Sequence, residues 1–185
     1  MQERSGPVKK LSAPATVRER VGFQPDEAQA RVLESGAKRG ILNCTRPWGK
    51  SMVTALMALE RAWREAGSLT LVDEAARVPG DVYRAVRPML AASGGGLWLM
   101  STPNGKRGFF WEAWERGGAE WERVQVTAYD CPRIPREILE EEQRALRERS
   151  FRQEYLCELT EAEDGVFDAD LVRGAMAREF GALGM

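Results

Sequence analysis

Ile41-Leu42-Asn43-Cys44-Thr45-Arg46-Pro47-Trp48-Gly49-Lys50-Ser51 is the stretch on which the reading of the fold turns. It opens with a short apolar run of strand character and crosses a loop from Thr45 to Gly49. It then enters a long amphipathic pattern from Lys50 to Arg64, ended by Gly67. Strand, loop and helix in that order are the setting of a phosphate-binding loop. The pattern asks for Gly, four residues, then Gly-Lys-Ser/Thr. Cys44 stands in the first glycine's place, and Gly49, Lys50 and Ser51 supply the rest. The physical logic survives that change. Backbone amides and the positive end of a helix hold phosphate oxygens. Lys50 adds a point charge for the β- and γ-phosphates, and the Ser51 hydroxyl can ligate Mg²⁺. Pro47 has no amide hydrogen, so the loop has one donor fewer. Gly-Lys-Ser alone recurs by chance, and a plain loop-to-helix turn is the competing reading.

Downstream, Ser68-Leu69-Thr70-Leu71-Val72 reads as a second strand, with Asp73-Glu74 at its C-terminal end. Two adjacent carboxylates suit a metal ligand followed by a general base. The alternative is an ordinary strand end whose carboxylates cap the next turn. Residues 81–92 read as a helix strained by Pro88, and Leu97 to Met100 as a third strand left through Ser101-Thr102-Pro103-Asn104-Gly105. Phe109 to Trp114 is a short aromatic helix, Glu122 to Thr127 a fourth strand, and Arg136 to Leu159 a charged helical region in one or two pieces. Upstream, Pro25-Asp26-Glu27 starts a helix that Lys38-Arg39-Gly40 closes. Residues 1–20, with Pro7 and Pro14 and no periodicity, read as a flexible N-terminal arm. Residues 21–160 read as one domain and 161–185 as a C-terminal tail. Strands alternating with helices predict an α/β fold with a parallel sheet, whose ligands bind at the C-terminal ends of the strands.

Composition narrows the chemistry. The 185 residues are 43% hydrophobic and 30% charged, which suits a globular domain. No apolar run approaches the length of a membrane-spanning helix, and MQERSGPVKK has no apolar core of a signal peptide. Cys44, Cys131 and Cys157 have neither disulfide-framework nor metal-ligand spacing, so a reduced, cytoplasmic protein is expected. There is no histidine, so acid–base work falls to carboxylates, lysine, arginine or hydroxyls. The net charge of −1 excludes binding of nucleic acid by bulk charge, although Lys9-Lys10, Arg18 and Arg20, Lys38-Arg39 and Lys106-Arg107 form local basic clusters. Each such cluster reads first as solvated surface. Trp111 and Trp114 beside Lys106 and Arg107 could stack bases, but Phe109, Phe110 and Trp114 read better as a helix packed on the sheet.

Four motifs in order resemble one family, the large subunits of phage terminases, over roughly residues 20–175. Gly22-Phe23-Gln24-Pro25-Asp26-Glu27-Ala28-Gln29 resembles the family's adenine-recognition segment, with Gln29 at the matching glutamine. Arg46 resembles the arginine that terminases carry inside the phosphate loop, and Trp48 falls where the family often has a bulky residue. Val72-Asp73-Glu74 resembles the acidic pair, and Leu99-Met100-Ser101-Thr102-Pro103-Asn104-Gly105 the coupling motif. The resemblance implies a P-loop NTPase of the ASCE type that uses ATP and Mg²⁺ to drive double-stranded DNA into a capsid. It implies as partners a portal protein, a terminase small subunit and further copies in a ring, in the host cytoplasm and without a membrane. Lys50, Arg46 and Gly49 are then expected at the phosphates, Ser51 and Asp73 at the metal, and Glu74 at the attacking water. Trp48, counted with the nucleotide-binding loop, either packs on the loop or faces the nucleotide and is read as structural. Ser101 and Thr102 are expected to sense the γ-phosphate, and Gln29 the adenine.

Two departures from the family stand out. Only 22 residues lie between Lys50 and Asp73. In the family a strand, at least one helix and several dozen residues lie there, so an internal deletion is expected. The family's sheet has the order 5-1-4-3-2, and the lost strand is the edge strand 2. The expected remaining order is 123–127, 41–44, 97–100, 69–72. The second departure is that the chain stops where the family's nuclease begins, so no nuclease activity is expected. Two further readings are kept. One is a degenerate prophage remnant that binds nucleotide or a partner without productive turnover. The other is a helicase-like ATPase.

Overall fold

In the computed structural model of the chain, residues 12–64 and 68–161 are described. Four parallel strands form one sheet in the order β2-β3-β1-β4. They are β1 (Arg39–Cys44), β2 (Leu69–Val72), β3 (Gly96–Ser101) and β4 (Trp121–Val126). This is the strand order expected after loss of one edge strand. Because all four run the same way, the segments that leave them gather along one edge of the sheet. Those segments are 45–49, 73–77, 101–105 and 127–131; with Lys50 and Ser51, which directly follow the first of them, they hold the phosphate-loop, acidic-pair and coupling motifs of the sequence analysis.

Alternation within β1 divides the core. Leu42 and Cys44 face one side, where Val32 and Leu33 of α2 (Glu27–Glu34) and Val53, Leu56 and Met57 of α3 (Lys50–Arg64) cover them. Ile41 faces the other side, against Leu90 of α4 (Gly80–Ser93) and Phe109, Phe110 and Ala113 of α5 (Gly108–Arg116). Phe109 and Phe110 are buried, so the aromatic cluster is core rather than a stacking platform. Gly40 lies beside Trp98 across the β1–β3 ladder, and a Cβ on Gly40 would fall inside the indole. Trp98 donates to Ala37 O at 3.2 Å, and Arg61 of α3 lies over its ring and donates to Ser35 O and Ala37 O. The far end of α3 is thereby fastened to the lower rim of the sheet, and its first turn is left at the upper rim.

The structure differs from the expectation for residues 1–20. Ala13–Val21 form a helix, α1, with Ala13, Pro14 and Val17 buried. Pro14 sits in the first turn, where a missing amide costs nothing, and Gly22 ends the helix at φ 72°. Helix α2 also stops earlier than expected, at Glu34, and Arg39 and Gly40 belong to β1. The charged region splits into α6 (Arg136–Ala145) and α7 (Glu148–Glu154). Helix α4 continues through Pro88 to Ser93. From residue 162 onward the expected tail lies outside the described residues, as do residues 1–11 of the arm.

Candidate functional site

The loop after β1 is built in steps. Thr45 N donates to Val126 O at 3.0 Å and continues the β1–β4 ladder by one residue. Arg46, Pro47 and Trp48 then make one 3₁₀ turn, so the amide that Pro47 lacks falls in a turn that does not need it. Gly49 has φ 86°, a left-handed conformation that suits glycine and turns the chain into α3. Trp48 is fully buried in the core. Its carbonyl accepts from Gln29 Nε2 at 2.8 Å and from Arg133. The other end of the Gln29 amide, Oε1, accepts from Asp26 N at 3.0 Å in a capping box that starts α2. Gln29, expected at the adenine, and Trp48, read as structural, thus hold the loop from below.

Lys50 opens α3 with its ammonium turned back onto the loop, donating to Cys44 O at 3.1 Å and Thr45 O at 3.5 Å. The residue is 5% exposed, and burial lowers its pKa, with Cys44, Glu74, Cys157 and Asp73 acting in the opposite direction. Ser51 Oγ donates to Asp73 Oδ2 at 2.6 Å. Asp73 Oδ1 accepts from Glu74 N at 2.9 Å, and Glu74 adopts φ 48°, a conformation uncommon for a residue with a side chain. The Asp-Glu pair is therefore divided by the backbone, with Asp73 directed to the start of α3 and Glu74 directed elsewhere.

Glu74 Oε2 accepts from Arg77 at 2.9 Å. The same guanidinium reaches Thr102 Oγ1 at 3.0 Å and Glu154 Oε1 at 3.0 Å. The second oxygen of Glu154 accepts from Arg46 Nε at 3.1 Å, and this carboxylate raises the pKa of Arg46. Arg46 is thus placed at the mouth of the loop, paired with Glu154 from α7. Ser101 and Thr102 are fully buried at the end of β3, and the Ser101 hydroxyl is without a hydrogen-bond partner. Neither Arg77 nor Glu154 is legible as a site residue in the sequence. Arg77 stands in a turn without pattern, and Glu154 ends a helix of mixed charge.

The segment after α7 crosses the upper rim. Thr45 Oγ1 donates to Glu154 O at 3.1 Å, Asn43 Nδ2 to Cys157 O at 2.8 Å, and Lys106 N to Thr160 O at 2.9 Å. The candidate basic cluster at Lys106 is engaged by the same segment, through Glu161 at 2.9 Å.

Known proteins were compared with the chain. No family model matches it, and no curated protein matches it. Among solved structures it is similar to the large terminase ATPase domain of Thermus phage P74-26, at 18% identity and a TM-score of 0.71. That match covers 82% of this chain and 100% of the other. An arginine-to-alanine mutant of the same phage domain matches at 19% identity and a TM-score of 0.68, over 81% and 100%. The fold is that of a large terminase ATPase domain. That fold is present here as an α/β, four-stranded parallel sheet between two helical layers, in the strand order expected after loss of one edge strand. Among the described residues no helix is long and apolar enough to cross a membrane.

Proposed function

We propose that this chain is an Mg²⁺-dependent, ATP-binding motor domain of the terminase type, acting on double-stranded DNA during packaging. The observation that carries this reading is the 2.6 Å bond between Ser51 and Asp73, formed beside Lys50 at the mouth of a Gly49-turned loop. The metal fits the residues present. Among the described residues no group of three or more His, Cys, Asp or Glu side chains is arranged to hold an ion alone. Ser51 and Asp73 offer two oxygen donors, which suits Mg²⁺, an ion that retains waters and takes further oxygens from substrate phosphates. When bound there it supplies positive charge against the β- and γ-phosphate oxygens.

The residues of the chain divide the remaining work. Loop amides and the first turn of α3 receive the phosphates. Lys50 exchanges its two carbonyl acceptors for phosphate oxygens, and Arg46 exchanges Glu154 for the same anion. Glu74 accepts the proton of the water that attacks the γ-phosphorus, while the bond to the bridging oxygen of ADP breaks. Gln29 acts on nucleotide through the loop that it supports, and Thr102 reports on Glu74 through Arg77. A portal protein, a terminase small subunit and further copies in a ring complete the motor in the host cytoplasm.

A second reading, nucleotide binding without productive turnover, draws support from the side chains that would have to move. Glu74 is engaged by Arg77 and Arg46 by Glu154. Titration calorimetry with ATP and Mg²⁺ tests the binding that both readings share. Lys50→Ala should remove most of the affinity, because the charge on the phosphates goes with it. Equal affinity in wild type and Lys50→Ala would sink the nucleotide reading altogether.

A further inference from the structure

One guanidinium joins the general-base candidate to the loop that leaves β3. Arg77 Nη1 has three acceptors within reach: Glu74 Oε2 at 2.9 Å, Thr102 Oγ1 at 3.0 Å and Thr102 O at 3.5 Å. A guanidinium NH₂ carries two hydrogens, so the three acceptors compete for them. Arg77 Nη2 is fixed separately, on Glu154 Oε1 at 3.0 Å. Any displacement of Thr102 therefore redistributes the bonds of Nη1 and changes its hold on Glu74.

The backbone around these side chains is tied down. Arg77 N donates to Glu74 O at 2.8 Å and closes the turn that carries both residues. Ala75 N donates to Met100 O at 3.0 Å, and Asn104 Nδ2 donates to Ala76 O at 3.4 Å. The turn 74–77 is thus tied to the end of β3 through Ala75 and to the loop 101–105 through Ala76. Glu74 itself is held at φ 48° by its own amide on Asp73, so its freedom lies in the side chain. An isolated ion pair this exposed would do little. Here the pair is one arm of a network with a second carboxylate and a buried threonine, and charge-assisted bonds in such a network are directional.

We propose that Arg77 is a positioning residue that couples the Glu74 carboxylate to the loop 101–105, so that the orientation of the base follows the position of Thr102. The role of Arg77 in hydrolysis rests on the reading of Glu74 as the base. The mechanical link does not, and it is testable without nucleotide. Hydrogen exchange at the amides of residues 102 and 104–106 is measured in wild type, Glu74→Gln, Arg77→Ala and the double variant. Glu74→Gln should raise exchange there about threefold or more in the presence of Arg77, and have no further effect in its absence. An equal effect of Glu74→Gln in both backgrounds, or none in either, overturns the coupling whether or not the protein binds ATP.

A second readout separates positioning from folding. Arg77→Ala should leave the ATP dissociation constant within about twofold, since Arg77 touches neither the loop 45–49 nor Lys50, while lowering kcat about 10- to 100-fold. Arg77→Lys keeps the charge but not the fork and should recover part of kcat. Loss of affinity and kcat by the same factor, or no recovery in Arg77→Lys, overturns the positioning role. Failure of nucleotide binding in the Lys50→Ala calorimetry is a separate result and leaves the exchange cycle standing.

Discussion

Ser51 and Asp73 lie 22 positions apart and meet at 2.6 Å, one at the first turn of α3 and the other at the tip of β2. The short connection between them is enough for this meeting. The reason is geometric. Helix α3 leaves the upper rim at Lys50 and ends at Arg64, a run of about 22 Å at ~1.5 Å per residue. That length returns the chain to the lower rim, from which β2 climbs back to the site.

The pair should therefore act as a metal ligand set. Ser51→Ala and Asp73→Asn should each weaken the Mg²⁺-dependent part of ATP binding about tenfold or more. Stability should change by less than about 1 kcal/mol, because the bond lies at an exposed position and water can replace it. Calorimetry with and without Mg²⁺, paired with urea melts, checks both halves. Loss of affinity that is the same in EDTA would remove the metal from the argument.

Cys157 provides a test of how tightly the segment after α7 is packed. Its thiol is buried, and burial pushes its pKa up from 9.0 to about 12. In the unfolded chain the proton leaves near 9.0, and in the folded chain only near 12. The stability linked to this proton is thus fully present below pH 9.0 and is lost as pH rises toward about 12. Burial shifts the Cys44 thiol upward as well, with the same sign, whereas lowering of the Lys50 pKa acts in the opposite sense. Comparing Cys157→Ala with wild type isolates one group. Urea midpoints measured between pH 8 and 11 should fall less steeply in Cys157→Ala, and parallel slopes would show that the thiol is not buried in solution.

The open side of the sheet carries a consequence for handling the protein. Strand β2 stands at the edge, and all four of its residues are only half-buried. On the helices that cover the two faces of the sheet, Met52 and Leu59 of α3 and Val82 and Met89 of α4 are exposed. An unpaired strand edge with apolar side chains on the neighbouring helices invites association. Leu59→Glu with Met89→Glu should lower concentration-dependent light scattering without a shift of melting temperature beyond about 2 °C. Scattering that is unchanged in the double variant would place the sticky surface elsewhere.

The parts that were legible in the sequence share a physical cause. Helix α3 runs from Lys50 to Arg64, as the amphipathic pattern predicts, because its apolar stripe of Val53, Leu56 and Met57 is buried against the sheet. Strands β1 and β3 appear as short apolar runs because both lie in the middle of the sheet and are buried along almost their whole length. The strand order followed from the family resemblance rather than from pattern. What was not legible is of two kinds. Helix α1 buries Ala13, Pro14 and Val17 in a stretch too polar to show a stripe, although Pro14 and Gly22 mark its two ends. The links of Glu74 to Arg77 and Arg46 to Glu154 depend on how distant elements meet, and charged residues in turns carry no periodic signal. Gln29 was expected to face a ligand, and its burial under Trp48 O could be known only once α2 was placed against the loop.

Turnover by the isolated chain should be slow, on the order of 10⁻³ per second, the range of phosphate-binding-loop enzymes that lack a completing arginine. The argument starts from register. Strand β2 pairs with β3 as Leu69 with Gly96 through Val72 with Leu99, which brings the Asp73-Glu74 tip level with Met100 and Ser101. Asp73 is then correctly placed for Ser51, but the Glu74 carboxylate is engaged by Arg77 at 2.9 Å. Hydrolysis requires that carboxylate within hydrogen-bond reach of a water in line with the γ-phosphate, and a misplacement of about 1 Å costs on the order of 100-fold. Arg46 must likewise leave Glu154 before it can bear on the phosphates. Both exchanges are drawn by the anion alone in a single chain, without a neighbouring copy to complete the site. Steady-state phosphate release measures the rate, with Glu74→Gln as the control that separates turnover here from a contaminating ATPase. Rates near 1 per second for the wild-type monomer, lost in Glu74→Gln, would show that the shortened sheet presents its base correctly and would end the reading of a binder without turnover.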